Sequence, residues 1–143
     1  IVVLLLLQRE IDFLLLDQIV SPSLRQEMEN PKHLTEERID LYVNRFLQDF
    51  CEGNARFKGW PSGEYAVYSM SKLAVNAYTR VLARELHKTY VNCMHPGYVK
   101  TDMTKHQGYL SPKKGADTAV WLALHPPPLP SGKFFYQRKP FSF

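Results

Sequence analysis

Tyr68 and Lys72 stand four residues apart in the stretch YAVYSMSKLAVNAYTRVLARELHK. A phenol and a primary amine are residue types that can move a proton together. On an α-helix, positions i and i+4 lie one above the other, so both side chains point the same way. A free phenol ionises near pH ~10, and a neighbouring ammonium favours the phenolate. Tyr68 could then give a proton to a carbonyl oxygen as hydride arrives at carbon, or take it back in the oxidative direction. Lys72 would hold the field. The same spacing also occurs in many helices as a half-buried ring beside a solvated amine, so the pair alone leaves both readings open.

The elements around the pair have to decide. The helix that carries it is expected from about Tyr65 to His87, with Val75, Tyr78, Leu82 and Leu86 as its apolar side. Before it, Thr35 is placed to N-cap EERIDLYVNRFLQDF, where Glu36 and Glu37 suit the positive end of the helix dipole. Ile39, Val43, Phe46, Leu47 and Phe50 form the apolar stripe expected for that helix. CEGNARFKGWPSGE reads as a loop, and Trp60 within it as an anchor to the core. The opening IVVLLLL fits a strand covered on both faces, as in a parallel sheet. Pro22 and Pro31 mark a loop with at most a short helix.

After the pair, YVNCMHPGYVKTDM reads as a short strand ended by Pro96 and Gly97, and Ser111 with Pro112 opens a helix over PKKGADTAVWLALH. HPPPLPS could be a polyproline ligand, but fits better as a surface loop. KFFYQ is a last strand and QRKPFSF a solvated tail. This order of strands and helices is that of an α/β doubly wound sheet, of which three strands are visible.

Composition narrows the function classes. The 143 residues carry 18 basic and 14 acidic side chains without a like-charge run, so nothing favours a nucleic-acid partner. Arg9, Glu10, Asp12 and Asp17 interrupt any window long enough to span a membrane, and the opening has neither the basic start nor the cleavage site of a signal peptide. Cys51 and Cys93 lack ligand or disulfide-framework spacing, and His33, His87, His95, His106 and His125 lack metal-ligand spacing. The histidines are therefore expected at the surface or in loops, although His95 could border a site at the Pro96-Gly97 turn. No metal is expected, and a reducing compartment is the default. The first residue is Ile and the apolar run begins at once, which suggests a piece of a longer domain.

YSMSKLAVNAYTRVLARE followed by VNCMHPGYVKTDM resembles the short-chain dehydrogenase/reductase family, with its Tyr-x-x-x-Lys helix and a strand running into Pro-Gly-x-Val-x-Thr. LTEERID, GWPS, GADTAVWLALHP and SGKFFY are similar to the plant carbonyl reductase branch, which includes salutaridine reductase and the neomenthol dehydrogenases. The resemblance covers about residues 34–143, and residues 1–33 diverge. It implies the C-terminal part of a doubly wound, parallel-sheet (Rossmann-type) fold whose N-terminal half is missing. The implied activity is NADPH-dependent interconversion of a ketone and a secondary alcohol. Tyr68 would be the acid/base, and Lys72 would assist it and bind the nicotinamide ribose. Pro96 and Gly97 would shape the turn beneath the nicotinamide, Val99 would offer its backbone to the carboxamide, and Thr101 would bond the carboxamide or phosphate side. A cytoplasmic monomer is implied, with the helix after Thr35 as an insertion over the family's dimer face. Met103 and Tyr109 in the following loop suggest an apolar substrate.

Two family features are absent. The Gly-rich turn that meets a pyrophosphate has no counterpart, since residues 1–52 contain no glycine. The family's serine, after a Val-Ser-Ser type strand, also has none, because Ser21 and Ser23 lie in a proline-containing loop. Two functions follow as expectations: part of a carbonyl reductase that is inactive by itself, or a non-catalytic remnant acting through protein contacts.

Overall fold

The computed structural model describes residues 19–141 and the backbone of 2–5. Three helix starts follow from their capping residues. Ser21 accepts the Leu24 N–H and opens α1, Pro22–Glu29. Thr35 accepts the Arg38 N–H and opens α2, Glu36–Cys51. Ser111 accepts the Lys114 N–H and opens α4, Pro112–Leu124. Each hydroxyl satisfies one N–H that the first turn leaves without an intrahelical partner. Pro22 is therefore not the breaker that the sequence suggested: at the first helical position it loses no hydrogen bond. The helix of the Tyr68-Lys72 pair, α3, spans Ala66–Glu85.

The chain divides into two compact units, and the division falls within α3 after Val81. The described part of one unit is residues 19–81. Its core gathers Ile19, Leu24 and Met28 from α1 and its approach, Ile39, Tyr42 and Phe46 from α2, and Met70, Leu73 and Val81 from α3. Trp60 anchors its loop as expected: it is buried, lies edge-on to Phe46 at 5.9 Å, and donates its indole N–H to Asp49 at 2.7 Å. Gly59 accepts the Val20 N–H at 2.9 Å, and a side chain there would strike Ser21. Arg80 of α3 donates to the Glu29 carbonyl at 2.8 Å, placing a cation where α1 ends.

Both expected apolar stripes shift. In α2 the buried residues are Ile39, Tyr42 and Phe46, while Leu47 and Phe50 are exposed. The Tyr42 hydroxyl explains its burial, because it donates to Glu27 at 2.7 Å. In α3 the buried face is Ala66, Ser69, Met70, Leu73, Asn76 and Ala77, not the Val75-Tyr78-Leu82-Leu86 line, of which Tyr78 and Leu86 are exposed. Small and polar residues occupy that buried face, so hydrophobicity alone pointed to the wrong side.

The other unit holds a four-stranded sheet in the order β1 (Val2–Leu5), β2 (Val91–His95), β3 (Phe134–Tyr136) and β4 (Lys139–Phe141). The first three are parallel, with Val2 opposite Val91 and Cys93 opposite Phe134. β4 returns antiparallel, with Phe134 opposite Phe141. Of the solvated tail expected from QRKPFSF, Lys139–Phe141 form an exposed hairpin strand turned by Gln137 and Arg138 at φ +48° and +63°, and the last two residues lie outside the described ones. Met94, Phe135 and Leu122 of α4 form the apolar cluster on the sheet. Buried Asn92 is satisfied at both ends, donating to Pro130 O at 2.8 Å and accepting Lys133 N–H at 3.0 Å. No helix among the described residues is long and apolar enough to cross a membrane.

Candidate functional site

In α3 the buried face ends beside Tyr68 and Lys72, and both side chains are half-buried at its border. The helix stacks them as i and i+4. Lys72 Nζ lies 5.3 Å from the centre of the Tyr68 ring, within the distance at which an ammonium is attracted to an aromatic face. Ser71 donates its hydroxyl to the Tyr68 carbonyl at 2.7 Å and takes no place in the pair. The expected phenol and amine are therefore neighbours on one partly open helix edge. That arrangement can move a proton to a polar atom presented from solvent or from a pocket.

Pro96, Gly97, Val99 and Thr101 belong to the sheet-bearing unit, where the chain leaves the carboxyl end of β2. Gly97 has φ +80°, a conformation that costs an L side chain about 1–2 kcal/mol. An added Cβ would also lie 2.4 Å from Leu110 Cδ1. Leu110 is held there because Lys100 N–H donates to its carbonyl at 2.8 Å, and its own N–H donates to Tyr98 O at 3.1 Å. Gly115 of α4 makes room for Val99, whose Cγ2 would be 2.4 Å from a Cβ at that position. Thr104 donates its hydroxyl to Val99 O at 2.7 Å and accepts the Thr101 N–H at 3.1 Å. The segment from Pro96 to Thr104 is thus fixed by backbone bonds and close packing.

Within this fixed segment the Val99 N–H has no acceptor among the described residues. Its bridge with Leu110 engages the neighbouring residues' amide and carbonyl and leaves this N–H facing away. A half-buried donor without a partner suits a ligand acceptor such as a carboxamide oxygen. No Gly-rich turn for a pyrophosphate occurs among the described residues, where the first glycine is Gly53.

His95 corrects the expectation that the histidines lie at the surface or in loops. It is the last residue of β2, 5% exposed, with its ring edge-on to Tyr136. Its Nδ1 accepts the Gly97 N–H at 2.8 Å, so the neutral ring carries its proton on Nε2. Burial pushes its pKa down to about 4. Every residue of β2 is buried, and His95 shares that burial as the strand's last residue. Leu110, which fixes the turn, carried no motif, whereas Gly115 opens GADTAVWLALHP, one of the segments similar to the plant branch.

The loop residues Met103 and Tyr109 are exposed, and Tyr109 lies beside Tyr98 at 6.1 Å between ring centres. Ser21 is the cap of α1, and its hydroxyl lies 3.1 Å from that of Ser23. Both line a polar cleft of about 370 Å³ with Arg45, Asp49 and Lys58, and neither Tyr68 nor Lys72 is part of its lining. No group of three or more His, Cys, Asp or Glu among the described residues could hold a metal ion.

A family model described as short chain dehydrogenase matches residues 55–109, a segment that includes all six expected site residues. Short-chain dehydrogenase/reductase 1 of Saponaria officinalis is 45% identical over 121 residues, which are 85% of this chain and 40% of that protein. Salutaridine reductase of Papaver somniferum is 50% identical over 103 residues, 72% of this chain and 32% of that protein. Its solved structure matches with a TM-score of 0.75 at 43% identity, covering 85% of this chain and 41% of that one. Human carbonyl reductase [NADPH] 1 is 35% identical over 127 residues, 83% of this chain and 44% of that protein. The chain spans less than half the length of each.

Proposed function

Because the chain belongs to the short-chain dehydrogenase/reductase family, in its plant carbonyl reductase branch, we propose that it carries the proton-transfer part of an NADPH-dependent ketone reductase. The placement of Lys72 Nζ 5.3 Å from the Tyr68 ring carries this reading. Tyr68 gives its hydroxyl proton to the carbonyl oxygen of a ketone and takes one from a secondary alcohol in reverse. Lys72, on the same helix edge, favours the phenolate left behind, since an ammonium near a phenol stabilises its negative form, and binds a ribose hydroxyl.

The nicotinamide supplies the hydride when bound. Val99 offers its unpartnered N–H to the carboxamide oxygen. Pro96 and Gly97 give the turn its shape, and Thr101 bonds the carboxamide or phosphate side. NADPH rather than NADH is supported by the name of the human relative. The loop carrying Met103 and Tyr109 faces an apolar ketone or alcohol. The chain acts as a monomer in the cytoplasm, a reading supported by α2, which buries Ile39, Tyr42 and Phe46 within its own unit, and by two thiols outside any disulfide.

Residues 1–52 hold no glycine for a pyrophosphate turn, so the chain lacks the part that supplies most of the binding and orientation of the dinucleotide, the larger part of such catalysis. By itself it therefore does not turn over. A specific observation favours the competing reading, a non-catalytic protein acting through contacts: the glycine-free stretch of residues 1–52.

NADPH consumption with a panel of apolar ketones separates the two readings. It should be measured for the 143-residue chain and for salutaridine reductase carrying residues 55–109 of this chain in place of its own. The expected result is no turnover by the isolated chain and clear turnover by the chimera. A folded but inactive chimera beside an active parent would refute the proposal.

A further inference from the structure

We propose that the cavity between the start of α4 and the β3–β4 hairpin is a binding site for a small carboxylate, held by Thr118 and Lys114. The cavity measures about 230 Å³ and lies at the carboxyl ends of the parallel strands β2 and β3, marked by His95 and Tyr136. Open α/β sheets bind ligands at such ends. The volume is below the roughly 300–1,000 Å³ of drug-sized sites, so the occupant is small.

The lining has more donors than the protein uses. Thr118 is 4% exposed, and its Oγ1 accepts the Arg138 N–H at 3.2 Å. The hydroxyl's own proton has no acceptor among the described residues. An unmet buried donor is destabilising, and an acceptor oxygen in the cavity would satisfy it. Lys114 Nζ makes no hydrogen bond and no close ion pair among the described residues, and Asp117 acts on it only through space.

Charge identifies the ligand class. Arg138 and Asp117 form a two-bond pair, at 2.7 and 2.6 Å, that sums to zero. Lys114 therefore leaves one net positive charge, which a monoanion neutralises. Pro96 and Leu110 line the same cavity and suit the apolar body of an organic acid. Neither Tyr68 nor Lys72 takes part, and Pro96 alone of the residues proposed for the cofactor lines the cavity, so benzoate binding and ketone reduction are tested separately.

The test is a ¹H–¹⁵N NMR titration of the 143-residue chain with sodium benzoate, with benzamide and sodium phosphate in parallel. Saturable shifts of the Thr118 and Arg138 amides with benzoate are expected. Loss of the cation in Lys114→Gln should weaken binding about tenfold, as 1.4 kcal/mol would. Thr118→Val should abolish saturation and Thr118→Ser keep it. If Thr118→Val does not fold, the surface variant Lys114→Gln decides. Equal binding of benzamide, preferential binding of phosphate, shifts confined to the Arg45–Lys58 cleft, no saturable shift, or unchanged affinity in both variants would overturn the proposal. So would a spectrum without dispersed amides, because the cavity requires the folded sheet.

Discussion

Acidification should weaken the sheet-bearing unit through His95. The ring is 5% exposed, and burial lowers its pKa from 6.5 to about 4. The unfolded chain therefore binds the proton more readily than the folded one. Stability from the neutral ring is fully present above pH 6.5 and is lost as pH falls through about 4. Each pH unit of displacement corresponds to about 1.4 kcal/mol, so the full loss is about 3 kcal/mol. Protonation would also convert Nδ1 from the acceptor of the Gly97 N–H into a second donor facing it. Urea unfolding across this window, followed by Trp121 fluorescence in a Trp60→Phe background, measures the effect. His125 lies against Trp121, 4.8 Å between ring centres, so transition midpoints rather than intensities must be compared. His95→Asn supplies a non-titrating acceptor for the same N–H. The wild-type protein should lose up to about 3 kcal/mol more than His95→Asn over the window. Equal pH slopes in the two proteins would refute the reasoning.

Three further outcomes follow from the packing. Gly97→Ala meets Leu110 and a φ of +80°, and should lower the stability of the sheet-bearing unit by about 1–3 kcal/mol in chemical unfolding. Thr35→Ala removes the α2 cap and should cost about 1 kcal/mol, read in the same assay from Trp60. Tyr42→Phe leaves Glu27 without its 2.7 Å donor, and a loss of about 1.5–3 kcal/mol in urea unfolding is expected because the acceptor is charged.

Features carried by local chemistry were legible in the sequence. Thr35 and Ser111 announced their helices because a hydroxyl before a helical run has a specific N–H to satisfy. The Tyr68–Lys72 pairing followed from helix geometry alone. What escaped depended on contacts distant in sequence. Ser69 and Asn76 are buried on α3, so its packed face was not its most hydrophobic one. The β3–β4 turn uses Gln137 and Arg138 with positive φ and has no glycine or asparagine to signal it. Arg138 is fixed there by Asp117 and Thr118, twenty-odd residues earlier, which a local reading does not connect. His95 and the unpartnered Val99 N–H likewise owe their character to the strand end and to the bridge with Leu110.

Replacing Tyr68 by Phe in the salutaridine reductase chimera tests the central claim most directly. The change removes one hydroxyl from a half-buried ring and leaves its packing intact. Loss of an acid/base group lowers turnover by about 10²–10⁴-fold. The account predicts a fall in kcat of that size with the dissociation constant for NADPH unchanged. Undiminished turnover by Tyr68→Phe would contradict it.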